Sequence, residues 1–184
     1  MTAPASPSAG SPFWRFSLRF YRRREVADAC ITLQEQAGVD VNLLLFLLWH
    51  AIHKRALSTA EISDLEGRIA PWRNMTVVPL RTMRRALKSP PALVGGATAE
   101  LFRNKIKAAE LEAERLQQEA MHELSVPSLL GKDAASLEAA ARANMAAYAA
   151  LCGAPFASSP SETLLAALAS LEHNPEERHG QRDP

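Results

Sequence analysis

Apolar residues recur along most of the chain at intervals of three and four positions. No segment alternates between apolar and polar residues in the way that indicates a half-buried strand. Glycine and proline fall between the periodic segments, at places where helices are expected to break. The pattern therefore predicts an all-α protein, folded as a small helical bundle with a C-terminal helical extension.

The leucine-rich stretch DVNLLLFLLWHAIHKR, residues 40–55, is apolar on nearly every face of the helix that it predicts. A helix of this kind is buried by its neighbours. Its apolar run is much shorter than the roughly 20 residues that cross a bilayer, so we predict no transmembrane segment. We expect the helix at about 41–55 to be the buried centre of the bundle, with Asp40 as its N-cap.

Capping and turn residues delimit the other helices. A capping box formed by Ser58 and Glu61 marks the start of one helix, which we expect to end before Pro71. Residues 74–78 should be extended, because the residue before Pro79 avoids the helical conformation. These helices are predicted over about residues 12–22, 25–37, 58–70, 79–88, 99–124, 136–151 and 161–171.

Composition divides the chain into five predicted regions. Residues 1–11 and 173–184 lack apolar periodicity, and we expect a disordered leader and a disordered tail. Residues 12–90 form the predicted helical core domain. The segment 91–97 is the predicted linker, because it begins at the second residue of a proline pair and contains a glycine pair. Residues 98–172 form an acidic, alanine-rich helical region that packs on the core or extends from it.

The net charge of +1 conceals an asymmetry between the two halves of the chain. Residues 1–95 contain 13 Lys and Arg against 7 Asp and Glu, whereas residues 96–184 contain 8 against 13. Such a distribution indicates that the halves attract each other, or that the first half meets an anionic partner.

A dense positive patch is predicted around the helix at 79–88, and further arginines lie on the first helix. Arginine suits carboxylate and phosphate groups because its planar fork bonds two oxygens at once. We hypothesise a non-catalytic helical module, with an interaction or regulatory role, that binds an acidic protein or, as a second choice, nucleic acid. The same cations could instead form a solvated face or pair with the acidic helix after the linker. The predicted partner-binding residues are Arg73, Arg81, Arg84, Arg85, Lys88, Arg19 and Arg22.

An alternative hypothesis places the function in a pocket between the first, third and fifth helices of the predicted core. Trp14, Asn42, Trp49 and His50 would line this pocket together with Arg81, whose charge suits an anionic metabolite. The protein would then be a small helical enzyme or carrier. A closed, roomy cavity that touches Asn42 and an arginine would favour this hypothesis, whereas a solid core with a convex positive surface would favour the interaction module.

Sequence motifs identify no catalytic residue, metal site or cofactor. The chain has no GxSxG, GxxxxGK[ST] or GxGxxG motif. His50 and His53 share one flank of a helix, but no further ligands accompany them. Cys30 and Cys152 show no CxxC pairing, which favours a reducing compartment. Because the first residues also lack the features of a signal peptide, we expect a cytoplasmic protein.

Three stretches resemble a family of small uncharacterised proteobacterial proteins. They are FWRFSL at 13–18, ACITLQEQAGVDVNLLLF at 29–46 and WRNMTVVPLRTMRRALK at 72–88. The resemblance covers about residues 12–90. It implies a bacterial protein of cytoplasmic location, and it implies no activity, cofactor or catalytic residue.

Overall fold

The computed structural model describes residues 10–125 and 130–172, and it confirms the all-α prediction. Residues 1–9 and 173–184, which include most of the predicted leader and all of the predicted tail, lie outside the described residues. Two short strands, β1 (Arg55–Ala56) and β2 (Lys132–Asp133), form an antiparallel pair. The α-helices are α1 (Pro12–Tyr21), α2 (Arg24–Ala37), α3 (Val41–Ile52), α4 (Thr59–Trp72), α5 (Val78–Ala86), α6 (Gly96–Ser125), α7 (Leu137–Cys152) and α8 (Ser158–Glu172).

Helix α3 is the buried centre of the bundle, as its apolar pattern predicts. Every residue from 42 to 51 is buried, and α1, α2, α6 and α7 all pack against it. The side chain of Asp40 caps the helix by accepting a hydrogen bond from the backbone N–H of Leu43 at 3.0 Å. Among the described helices, none is both long enough and apolar enough to span a bilayer.

The alanine-rich helix α7 packs along α3 and belongs to the same core. Its residue Asn144 is fully buried. The Asn144 amide accepts a hydrogen bond from the N–H of Leu57 at 2.7 Å, and it donates to the carbonyls of Leu47 at 2.9 Å and Arg55 at 3.0 Å. One buried amide therefore ties α7 to the middle of α3 and to the segment that carries β1.

The chain stays helical from α4 into α5, which corrects the prediction of a helix end before Pro71 and an extended segment at 74–78. Pro71 lies inside α4, and residues 73–77 form a π-helical turn. Val78 keeps helical angles, φ −63° and ψ −47°, directly before Pro79. The π-helical turn is wider than an α-helical turn, and we infer that it makes room for the ring of Pro79 beside the preceding backbone.

Helix α6 folds back along α5 and α4 and does not project as a separate arm. It begins at Gly96, passes α5 near residue 110, and reaches α4 where the indole N–H of Trp72 donates to the carbonyl of Ala113 at 3.0 Å. Its later turns also pack against α1 and α3. The fold therefore places the acidic α6 beside the basic α5.

Candidate functional site

A cleft of about 420 Å³ lies between α1, α2 and α3 on one side and α5 and α6 on the other. Of the predicted pocket residues, Trp14, Asn42 and Arg81 line it. Helix α3 contributes only residues of its first turns to the cleft. The position of the cleft follows from the fold, because α6 crosses the bundle and closes a gap that α1, α3 and α5 would otherwise leave open.

Three polar side chains line the inner part of the cleft. Gln118 of α6 donates a hydrogen bond from Nε2 to Oδ1 of Asn42 at 2.7 Å. Oε1 of Gln118 and Oγ of Ser17 are buried and have no hydrogen-bond partner within the described residues. A buried polar atom without a partner costs about 1–3 kcal/mol and is uncommon in native proteins. A molecule bound in the cleft could supply these partners.

Two arginines of α5 and two glutamates of α6 form an ion-pair network along one wall. Arg81 donates to Glu110 at 3.1 Å and to Glu114 at 2.6 Å. Arg84 donates to both carboxylate oxygens of Glu110. Burial acts to raise the pKa of Glu110, but the hydrogen bonds from Arg84 and Arg81 outweigh it and lower that pKa. Burial raises the pKa of Glu114, although Arg81 opposes the shift.

The mouth of the cleft is cationic and apolar. Arg22, Arg85 and Lys107 line it and are exposed, and within the described residues their side chains form no hydrogen bond or ion pair. The lining as a whole contains five cationic and two carboxylate side chains, an excess of three positive charges. Tyr21 and Ile31, which are 37% and 40% exposed, add apolar surface beside these cations.

The π-helical turn positions a second ion-pair network beside the cleft. Arg73 donates to Oδ2 of Asp40 at 2.9 Å and to Oε2 of Glu66 at 2.9 Å. A smaller cavity of about 190 Å³ borders Arg73 and Asp40 and shares Asn42 and Arg81 with the cleft. Arg73 therefore holds the start of α3 against α4, next to the inner end of the cleft.

The predicted partner-binding cations divide into two groups. Arg73, Arg81 and Arg84 form ion pairs within the chain, so their guanidinium groups do not present an open surface. The pairing of Arg81 and Arg84 with α6 matches the alternative in which the basic half meets the acidic helix after the linker. The other predicted cations are exposed, and their role with a partner stays a prediction; these are Arg85, Lys88, Arg19 and Arg22.

Trp49 and His50, the other two predicted pocket residues, lie outside the cleft. Trp49 lies about 10 Å along α3 from Asn42, where the ring of Phe13 covers it at a centroid distance of 5.7 Å. The rings of His50 and His122 also contact Trp49. Burial lowers the pKa of His50 to about 4. Within the described residues, no group of three or more His, Cys, Asp or Glu side chains could hold a metal ion.

Sequence reasoning overlooks the contribution of α6 to the cleft. Lys107, Glu110, Glu114 and Gln118 all line it. They follow one another at intervals of three and four, so they form one polar stripe along the helix. This stripe is visible in the sequence. What it faces depends on how the long helix folds back.

The fold and the site together define an all-α bundle with a cationic cleft between its first three helices and the α5–α6 pair. The chain belongs to a family of proteins of unknown function, DUF2390, whose model matches residues 12–121. This match confirms the resemblance to an uncharacterised family and extends it beyond residue 90. The matched segment contains every residue that lines the cleft, whereas α7 and α8 lie beyond it. No curated protein and no solved structure matches the chain.

Proposed function

We propose that the protein binds a small amphipathic anion in the cleft and acts as a carrier or a ligand-responsive module. One observation carries this proposal: apolar walls, cations without partners at the mouth and buried polar atoms without partners at the floor all line one cleft. Its volume of about 420 Å³ falls within the range of small-molecule sites. The cleft also touches Asn42 and an arginine, Arg81, which meets part of the condition set for the pocket hypothesis; it is an open cleft and not the closed cavity that this hypothesis expected.

The charges indicate how the ligand lies. Glu110 and Glu114 neutralise Arg81 and Arg84, so an anionic group deep in the cleft would meet two carboxylates. The cations at the mouth have no such counter-charge. We therefore place a carboxylate, sulfonate or phosphate at the mouth and an apolar body against the inner wall.

The inner wall suits a body that is mainly apolar and carries one hydrogen-bonding group. Trp14, Leu18 and Leu45 supply the apolar surface. Ser17 and Gln118 lie among them with partnerless oxygens. A hydroxyl or amide N–H on the ligand would donate a hydrogen bond to the Gln118 oxygen. It would remove part of the free-energy cost of leaving this buried oxygen without a partner.

The same assignment accounts for some of the cations first predicted to bind a partner. Arg22 and Arg85 belong to the mouth of the cleft, so a small anion would take the place of an acidic protein there. Both cysteines are free thiols, which supports a cytoplasmic location for this function.

The experiment compares two double variants that change the net charge equally. Arg85→Glu with Lys107→Glu reverses two cations of the mouth, whereas Lys88→Glu with Lys105→Glu reverses two exposed cations that do not line the cleft. Octanoate, octanol and octylamine are titrated into each protein by isothermal calorimetry at low salt.

Wild-type protein should bind octanoate in preference to the neutral and cationic ligands. The R85E/K107E variant should lose octanoate affinity by about tenfold or more, because like charges would then face the ligand. The K88E/K105E variant should bind nearly as wild type does. Equal losses in the two variants, or wild-type binding that is indifferent to the ligand's charge, would contradict the proposal.

A further inference from the structure

The connection between α5 and α6 forms an apolar tip. No residue from 86 to 98 is buried. Leu93 is 95% exposed, and Leu101 and Phe102 are 68% and 49% exposed. Phe102 lies six residues after Gly96, the first residue of α6, so these apolar side chains lie within about 10 Å of the connection along the helix axis. Folding of the described chain leaves this apolar surface uncovered.

Cations surround the apolar tip. Lys88 follows α5 and Lys105 lies one turn beyond Leu101, and both are exposed. Neither side chain forms an ion pair or hydrogen bond within the described residues. Glu100, the acidic residue between 85 and 107, pairs with Arg103 at 2.6 Å. Residues 85–107 contain five cationic side chains against this one carboxylate, an excess of four positive charges.

We infer that the tip docks on an anionic phospholipid surface. Leu93, Leu101 and Phe102 would enter the boundary between headgroups and acyl chains, while Lys88 and Lys105 would lie against lipid phosphates. Exposed leucine and phenylalanine flanked by lysine and arginine are typical of segments that bind the membrane interface. The 10 Å extent of the apolar tip also matches the depth of about 5–10 Å to which such segments are buried.

The shape of the tip favours lipid over an acidic protein. Leu93 protrudes from a connection in which no residue is buried, and Leu101 and Phe102 lie exposed in the first turns of α6. A protein partner would need a pocket complementary to this protrusion, whereas a fluid lipid interface accommodates protruding apolar groups directly. This inference is independent of the proposed ligand, because none of the five side chains assigned to the lipid surface lines the cleft. They are Leu93, Leu101, Phe102, Lys88 and Lys105.

The test measures co-sedimentation of the full chain with large unilamellar vesicles. One set of vesicles contains phosphatidylglycerol and phosphatidylcholine in equal amounts, and the other contains phosphatidylcholine alone. The variants are Leu93→Asp with Phe102→Asp at the tip, and Lys88→Glu with Lys105→Glu in the surrounding cations. The matched control is Leu116→Asp, an apolar residue of α6 that is 42% exposed and lies about 20 Å from Phe102 along the helix.

Wild type and Leu116→Asp should bind the anionic vesicles, and binding should fall as salt rises. The L93D/F102D and K88E/K105E variants should each lose at least about tenfold in partition coefficient. Circular dichroism of each variant checks that the helices remain folded.

Three outcomes would overturn the inference. They are absence of wild-type binding to anionic vesicles, equal binding of wild type and L93D/F102D, and equal binding to neutral and anionic vesicles. If the wild-type protein does not bind vesicles but binds an acidic peptide through Lys88 and Lys105, the surface is a protein-docking site instead.

Discussion

Glu110→Gln tests the balance of charges in the cleft. The Glu110 carboxylate accepts hydrogen bonds from both Arg81 and Arg84, and its side chain is only 7% exposed. Glutamine keeps nearly the same shape and one carbonyl oxygen, but it removes the negative charge. The substitution should therefore destabilise the fold and strengthen anion binding.

The structure sets the size of both effects. A hydrogen bond to a charged group contributes about 1.5–3 kcal/mol, and the glutamine keeps one weaker acceptor in place of two charged contacts. Because the two arginines remain partly exposed, we expect a loss of about 2–3 kcal/mol in the free energy of unfolding. Removing one repulsive charge near the ligand should improve anion binding by about 1 kcal/mol, or about fivefold.

Urea denaturation followed by circular dichroism measures stability, and calorimetry with octanoate measures binding. Glu112→Gln is the control, since Glu112 is more than half exposed and pairs at the surface with Arg115. It should change stability by less than about 0.5 kcal/mol and leave binding unaltered. If Glu110→Gln weakens octanoate binding, or leaves it unchanged while the fold is destabilised, then Arg81 and Arg84 do not act on the ligand.

The remaining predictions concern stability and reactivity. Replacing the fully buried Asn144 by Leu should lower the free energy of unfolding by about 3–5 kcal/mol, because three hydrogen bonds are lost; the exposed Asn104→Leu is the control, and comparable losses would contradict the role assigned to Asn144. Burial holds the pKa of His50 at about 4, below its usual 6.5, so the unfolded chain takes up this proton first as pH falls. The free energy of unfolding should therefore decline by roughly 2–3 kcal/mol between pH 6.5 and 4, and His50→Phe should make this decline smaller. If urea denaturation shows the same decline with pH in wild type and in His50→Phe, His50 is not its cause. Burial raises the pKa of Cys30 to about 12, so a thiol reagent should modify Cys152 in the native protein and both cysteines only after unfolding; rapid native modification of Cys30 would refute this.

Helix caps and the central helix were predictable because the interactions behind them are local. Asp40 caps α3 through a residue three positions away, and Gly38 ends α2 with a φ of +68° that glycine adopts readily. The wrong prediction of an extended segment at residues 74–78 also rested on a local rule. The residue before a proline usually leaves the helix, but the π-helical turn at 73–77 allows the chain to continue through Pro79.

The candidate site was predictable in part. Trp14, Asn42 and Arg81 line the cleft as expected, whereas Trp49 does not. Asn42 and Trp49 lie seven residues apart and share a side of α3, so periodicity alone could not separate them. The difference arises along the helix axis, since the cleft opens beside the first turns and Phe13 covers the turns that follow.

The sequence by itself determined that the protein is helical, that the helix predicted at about 41–55 lies at its centre, and that its two halves carry opposite charge. Only the tertiary structure decided which charges meet: Glu110 neutralises Arg81 and Arg84, while Arg85 and Lys107 keep exposed positions beside them. The physical reason is the range of the interactions. Caps and apolar periodicity act over a few residues, whereas these pairs join positions nearly thirty residues apart, and they form only where α6 folds back onto α5.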